Sequence, residues 1–193
     1  VLFRGVNLVV IPAQAIWLRG RNGRGKTSLL RLAAGLAVPE SGMILWGGTP
    51  VRQAPDYAPR RVFIGHANAL KDDLTVTEAL TFLARLHDRP HDAASVRAAL
   101  DRVGMASRRD AVVRTLSQGQ RRRAALARLA LERDSSIWIL DEPYDALDAD
   151  GVRTVNALLK EHLTRGGSVL LTSHLHPGDG APPMVEFDLD PFA

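Results

Sequence analysis

The residues Gly20-Arg21-Asn22-Gly23-Arg24-Gly25-Lys26-Thr27 follow the spacing G-x-x-x-x-G-K-[ST], the pattern of a loop that wraps a polyphosphate. Its glycines let successive backbone N–H groups turn inward, and a helix opening near Lys26 would add the positive end of its dipole. The Lys26 ammonium can reach β- and γ-phosphates, and the Thr27 hydroxyl can hold magnesium. Two carboxylates, Asp141 and Glu142, follow the apolar run Ile137–Leu140. In a doubly wound sheet they would stand at the carboxyl end of a strand and face the loop. Asp141 would then hold magnesium directly or through water, leaving Glu142 to orient or deprotonate an attacking water. His174 closes another strand-like run and could hydrogen-bond a γ-phosphate. An acidic pair alone would be a solvated loop, and a lone glycine turn an accident; their joint occurrence favours phosphate chemistry.

Ser117-x-x-Gln120 reads as a capping box, which needs no function beyond starting a helix. Exposed N–H groups and the Ser117 hydroxyl could equally form a second anion site. One domain has no use for two triphosphate grips, but a head-to-tail dimer has, each copy offering its Ser117 helix to the nucleotide of the other. Arg121-Arg122-Arg123 reads as a solvated helix face. The pair His174 and His176 lacks the cysteine or third ligand that a metal or haem site would need.

The positioning elements follow from local pattern. Residues 6–11 read as a strand ended by Pro12, and 15–19 as the strand feeding the loop. A helix from Lys26 stops near Gly35. Short strands are expected at 43–46 and 62–65. Thr75 and Glu78 form a capping box for a helix over 76–87, and a second helix spans roughly 92–103. A long basic helix runs from 116–120 to about Glu132, then strand 137–140, helix 150–165, strand 168–172 and an edge strand at 185–189. The strand-free stretch near 66–110 predicts a helical insert in an α/β core.

A chain of 193 residues with 46% hydrophobic and 24% charged content fits an ordinary globular domain. Without cysteine there is no disulfide and no thiolate metal site. No apolar run approaches the roughly 18 residues needed to cross a bilayer, so membrane association is expected through a partner. The net charge of +4 comes from dispersed arginines, with lysine only at Lys26, Lys71 and Lys160, which does not mark a nucleic-acid surface. The chain opens at Val1 inside a strand-like run, so a preceding segment is expected.

Gly20–Thr27, Leu116–Gln120, Ile137–Pro143, Ala146-Leu147-Asp148 and His174 occur in the order and spacing of the nucleotide-binding subunits of ATP-binding cassette (ABC) transporters, which the chain resembles over nearly its whole length. It is more closely similar to the ATP-binding subunit of the cytochrome c maturation haem exporter, the CcmA family. That likeness lies in Leu29–Leu36, Ile44-Leu45-Trp46, Ile64-Gly65-His66, Leu70-Lys71, Gln118–Leu129 and Trp138–Pro143. The resemblance implies an α/β, P-loop NTPase (RecA-like) fold, a mainly parallel sheet with helices on both faces plus an inserted α-helical subdomain. Residues 1–193 would form one ABC ATPase domain, with 1–65 and 111–193 as the RecA-like core and 66–110 as the helical subdomain.

The same resemblance implies ATP and Mg2+ as cofactors, bound by Gly20, Arg21, Asn22, Gly23, Arg24, Gly25, Lys26, Thr27 and Ser28. Ser117, Gly119 and Gln120 would complete the site of a second copy, Asp148 would span the dimer, and His174 would contact the γ-phosphate. The segment after His66 would couple hydrolysis to an integral-membrane subunit at the cytoplasmic face of the inner membrane, with no nucleic-acid partner. His66 stands where most of the family has a magnesium-contacting Gln, and Asp145 where it has a small hydroxyl. The aromatic that stacks on adenine would lie upstream of Val1. Transport of another substrate, or a soluble non-transport ATPase, remain the alternatives.

Overall fold

The computed structural model describes residues 2–178 and 180–192. In chain order the elements are β1 (Ala15–Arg19), α1 (Lys26–Ala33), β2 (Leu45–Trp46), β3 (Thr49–Pro50), β4 (Arg61–Ile64), α2 (Val76–Leu86) and α3 (Ala93–Arg102), then α4 (Gln118–Leu126), β5 (Ile137–Asp141), α5 (Ala149–Thr164), β6 (Ser168–Thr172) and β7 (Val185–Asp188). Five strands form one sheet in the order β4-β5-β6-β1-β7, every neighbouring pair parallel. β2 and β3 form a separate small antiparallel hairpin across Gly47-Gly48.

Successive side chains of a strand point to opposite faces, and here both faces are covered. Ile16 and Leu18 of β1, Ile137 and Ile139 of β5 and Leu170 of β6 pack with Leu29 and Leu30 of α1. Their neighbours Ala15, Trp17, Trp138, Leu140, Val169 and Leu171 pack on the other side with α2, α3, α4 and α5. That second cluster is continuous from the sheet through Leu80, Val96 and Leu100. α2 opens on the expected capping box, with Thr75 accepting from the Glu78 amide and Glu78 accepting from the Thr75 amide.

Three expectations are corrected. Residues 6–11 form no strand. Val6, Leu8 and Val10 pack partly against the α1-side cluster, while Val9 and Ile11 are 69% and 55% exposed. Period-two burial is therefore present, but no neighbouring strand supplies a hydrogen-bond ladder among the described residues. The expected strand 43–46 shrinks to Leu45–Trp46, because its hairpin partner β3 spans only Thr49–Pro50 and pairs with Leu45 and Trp46 alone. The basic helix ends at Leu126 and tightens to a 3₁₀ turn over Ala127–Leu131.

His162 of α5 is wholly buried and stacks on Trp138 of β5, ring centroids 3.8 Å apart. Its Nε2 donates to the Ser136 carbonyl at 2.8 Å. Burial first, then the Arg165 charge, pushes its pKa from 6.5 down to about 4, against hydrogen bonding that favours the protonated ring. The unfolded chain takes up a proton near pH 6.5 and the folded chain does not. The stability held by neutral His162 is thus complete above pH 6.5 and is lost as pH falls toward 4. Denaturation midpoints should decline across that window, and His162→Phe should flatten the upper half of the decline. A Cβ on Gly167 would overlap the same imidazole. Gly167→Ala should therefore cost about 1–3 kcal/mol, read as a fall of roughly 2–12 °C in thermal midpoint for a chain of this size.

Candidate active site

The loop leaves β1 at Arg19 and enters α1 at Lys26. Gly20, Gly23 and Gly25 have φ of 142°, 81° and 93°, a backbone that glycine alone adopts without strain. Gly25 caps α1 without a side chain, and no acidic residue stands in its first turn. The first N–H groups of α1 are therefore free to meet an anion. Lys26 is 9% exposed, and its Nζ donates to the carbonyls of Gly20 at 2.6 Å and Arg21 at 3.2 Å. The ammonium thus lies across the loop it belongs to.

Strand parity places the acidic end. Ile137 and Ile139 face α1, so Asp141 does too; Leu170 faces α1, so Thr172 follows it. Asp141, only 3% exposed, accepts from Thr27 Oγ1 at 3.0 and 3.2 Å and from Thr172 Oγ1 at 2.9 Å. Thr172 Oγ1 also accepts from the Glu142 amide at 3.1 Å. Glu142 is a non-glycine residue at φ 51°, turning the chain sharply out of β5. Its Oε2 accepts from the His174 amide at 2.8 Å, and its Oε1 lies 3.4 Å from His174 Nε2. His176 packs edge-on against Trp17, with ring centroids 5.6 Å apart.

Thr27, Asp141, Glu142 and His174 line a cleft of about 600 Å³ with Asn22, Gly23, Gly25, Lys26, Ser28, His66 and Asp145. Gly20, Arg21 and Arg24 belong to the loop but lie outside that lining. Arg21 bonds Asp190 through its amide at 2.9 Å and its Nε at 3.0 Å, and Arg24 Nε is 3.7 Å from the same carboxylate. Among the described residues, no three His, Cys, Asp or Glu side chains gather as a metal site. One carboxylate and two hydroxyls gather instead at Asp141. Hard oxygen donors of that kind fit magnesium, which keeps waters and phosphate oxygens as its remaining ligands.

Ser117, Gly119, Gln120 and Asp148 stand apart from the cleft. Ser117 Oγ accepts from the Gln120 amide at 3.2 Å, and Gln120 Oε1 accepts from the Ser117 amide at 3.0 Å, the capping box expected. A Cβ on Gly119 would sit 2.6 Å from the Ala146 carbonyl oxygen, so the helix start presses on the turn after Glu142. Asp148 caps α5 by accepting from the Gly151 amide at 2.8 Å and pairs with Arg123. Hydrogen bonding to Gly151 first, then Arg123, holds its carboxyl below the usual range.

The arginine run is not a solvated face. Arg121 bonds Asp72 at 2.7 Å and Arg123 bonds the Val103 carbonyl at 3.1 Å. Arg122 is 3% exposed and reaches the carbonyls of Gly65, Asp141 and Glu142. Burial lowers its pKa, opposed by Asp145, Asp141 and Glu142. The signal was available, since Arg122 lies one turn before the buried Leu126. Thr172 was overlooked as an ordinary strand end, although its parity with Leu170 marks its face. Asp190 carries no local signal.

Residues 3–145 match the ABC transporter family. The chain is 45% identical to the cytochrome c biogenesis ATP-binding export protein CcmA of Albidiferax ferrireducens over 189 residues, covering 97% of this chain and 90% of that protein. It is 45% identical over 174 residues to the protein of the same description from Pseudomonas aeruginosa, covering 90% and 85%. An ABC transporter ATP-binding protein of Pyrococcus furiosus superposes with a TM-score of 0.82 at 23% identity, over 99% of this chain and 92% of that one, a likeness of fold. With a phosphate loop, a buried carboxylate at the neighbouring strand end and these relatives, the chain belongs to the ATP-binding proteins of the ABC transporter family.

Proposed function

We propose that the chain hydrolyses ATP with magnesium as the motor subunit of an exporter that handles haem for c-type cytochrome maturation. The observation that carries the ATPase reading is the convergence of Thr27, Asp141, Thr172, Glu142 and His174 beside the loop. Backbone N–H groups of Asn22, Gly23, Gly25 and Lys26, with the Lys26 ammonium and Ser28, bind the phosphates, while Gly20 turns the loop and Arg21 and Arg24 brace it on Asp190. Thr27 and Asp141 would hold magnesium, which supplies charge neutralisation at the phosphates. Glu142 takes a proton from water as the water oxygen bonds to the γ-phosphorus. The bond to the bridging oxygen breaks, and ADP leaves with that electron pair. His174 orients Glu142 and contacts the γ-phosphate, while His66 polarises a nearby water.

A second copy completes the site in this reading, supplying Ser117, Gly119 and Gln120, with Asp148 at the interface. Residues 66–110 act as the helical subdomain that meets an integral-membrane subunit. The chain would lie peripherally on the cytoplasmic face of the inner membrane beside that subunit; among the described residues no helix is long and apolar enough to cross a membrane. The names of the 45% identical relatives support the cytochrome c role.

Glu142→Gln should lower steady-state ATP hydrolysis by about 100-fold or more while ATP still binds; an undiminished rate would sink the catalytic assignment. Deleting the gene should abolish covalent haem attachment to c-type cytochromes, and normal cytochrome assembly would rule that role out. Thr172→Val keeps the shape but leaves Asp141 and the Glu142 amide each short of a partner. It should cost about 1–3 kcal/mol in denaturant titration and raise the magnesium concentration needed for half-maximal turnover.

A further inference from the structure

Arg122 sits one turn into α4 and joins three segments. Its Nη1 donates to the Gly65 carbonyl at 3.0 Å and to Asn68 Oδ1 at 3.1 Å. Its Nη2 donates to the carbonyls of Asp141 at 2.6 Å and Glu142 at 2.7 Å. The planar fork of a guanidinium can serve both pairs at once; the single ammonium of lysine cannot span them. Glu142 holds a φ of 51°, and a side-chain-bearing residue stays in that region only when its surroundings fix it. Its surroundings do so here, with the Thr172 hydroxyl at its amide and both Arg122 and the Asp145 amide at its carbonyl.

We propose that Arg122 is a positioning residue that locks the Glu142 turn and the Gly65–Asn68 segment into one frame and ties both to the helix beginning at Ser117. The Glu142 carboxylate and His66, just past the ends of the neighbouring strands β5 and β4, are thereby held at the cleft by a single buried cation. Ser117 and Arg122 ride on the same short helix, so docking of a second copy on Ser117 is felt at the backbone of Glu142. The proposal rests on the reading of Glu142 as proton acceptor and of Ser117 as the partner-facing group. It adds the link between them within one chain.

The test uses the full chain with Mg-ATP. In Arg122→Gln, kcat should fall at least 30-fold while the Kd for ATP stays within 3-fold. Amide hydrogen exchange should rise at 65–68 and 142–145 and remain unchanged in β1 and β6. Arg122→Lys should show the same split with a smaller loss of kcat. An unchanged kcat, an equal loss of ATP affinity, or exchange raised evenly along the chain would overturn the proposal. Should Arg122→Gln not fold, Arg122→Lys decides, and wild-type kcat in that variant overturns it. The exchange measurement needs no turnover. If Glu142→Gln hydrolyses ATP normally while exchange at 65–68 and 142–145 still rises in Arg122→Gln, the assignment of Glu142 fails and the clamp stands.

Discussion

The site depends on a buried carboxylate that has to be satisfied. Asp141 is withdrawn from water at the end of β5, where an unpartnered charge would be several kcal/mol unfavourable. Its donors are hydroxyls from two different elements, Thr27 at the start of α1 and Thr172 at the end of β6. Satisfying that one group brings the phosphate loop, the acidic turn and the strand leading to His174 to a common point. Thr172 extends the arrangement by accepting from the amide of Glu142. Loop and carboxylates are far apart in sequence, and this small hydrogen-bonded knot is what makes them neighbours.

The two faces of the sheet divide the work. The face toward α1 carries the loop, Asp141 and Thr172, all set by strand parity. The opposite face carries α2 to α5, and from it Arg122 reaches through to the carbonyls of Asp141 and Glu142. The end of β5 is thus gripped by side-chain hydroxyls from one layer and by a guanidinium from the other. Both grips are directional and both involve a full charge, the Asp141 carboxylate in one and the Arg122 guanidinium in the other, the stronger class of hydrogen bond. The loop itself has a separate brace, because Arg21 and Arg24 share the Asp190 carboxylate beyond β7.

What the sequence disclosed was what local chemistry fixes. The glycine spacing of 20–27, the capping boxes at Thr75 and Ser117, and the apolar runs of β1, β5 and β6 each announce themselves within a few residues. Pairing does not. Residues 6–11 alternate as a strand does, yet alternation reports only that one face is buried, and a ladder requires a neighbour that no local pattern names. Arg122 was hidden by its company in a run of three arginines, where charge suggests solvent while helical pitch places the middle one inward. Thr172 resembles any β-branched strand residue until the parity of β6 is followed to its end. Asp190 meets the loop only through the tertiary fold.

The turn at Glu142 has an evolutionary consequence. Its φ of 51° is a conformation in which glycine is free of strain and asparagine nearly so, whereas glutamate is disfavoured. Drift at this position is therefore biased by the backbone away from glutamate, and only selection on chemistry opposes it. Copies of this gene released from turnover should lose the side chain here early, toward glycine or asparagine, and should gain folding stability as they do so.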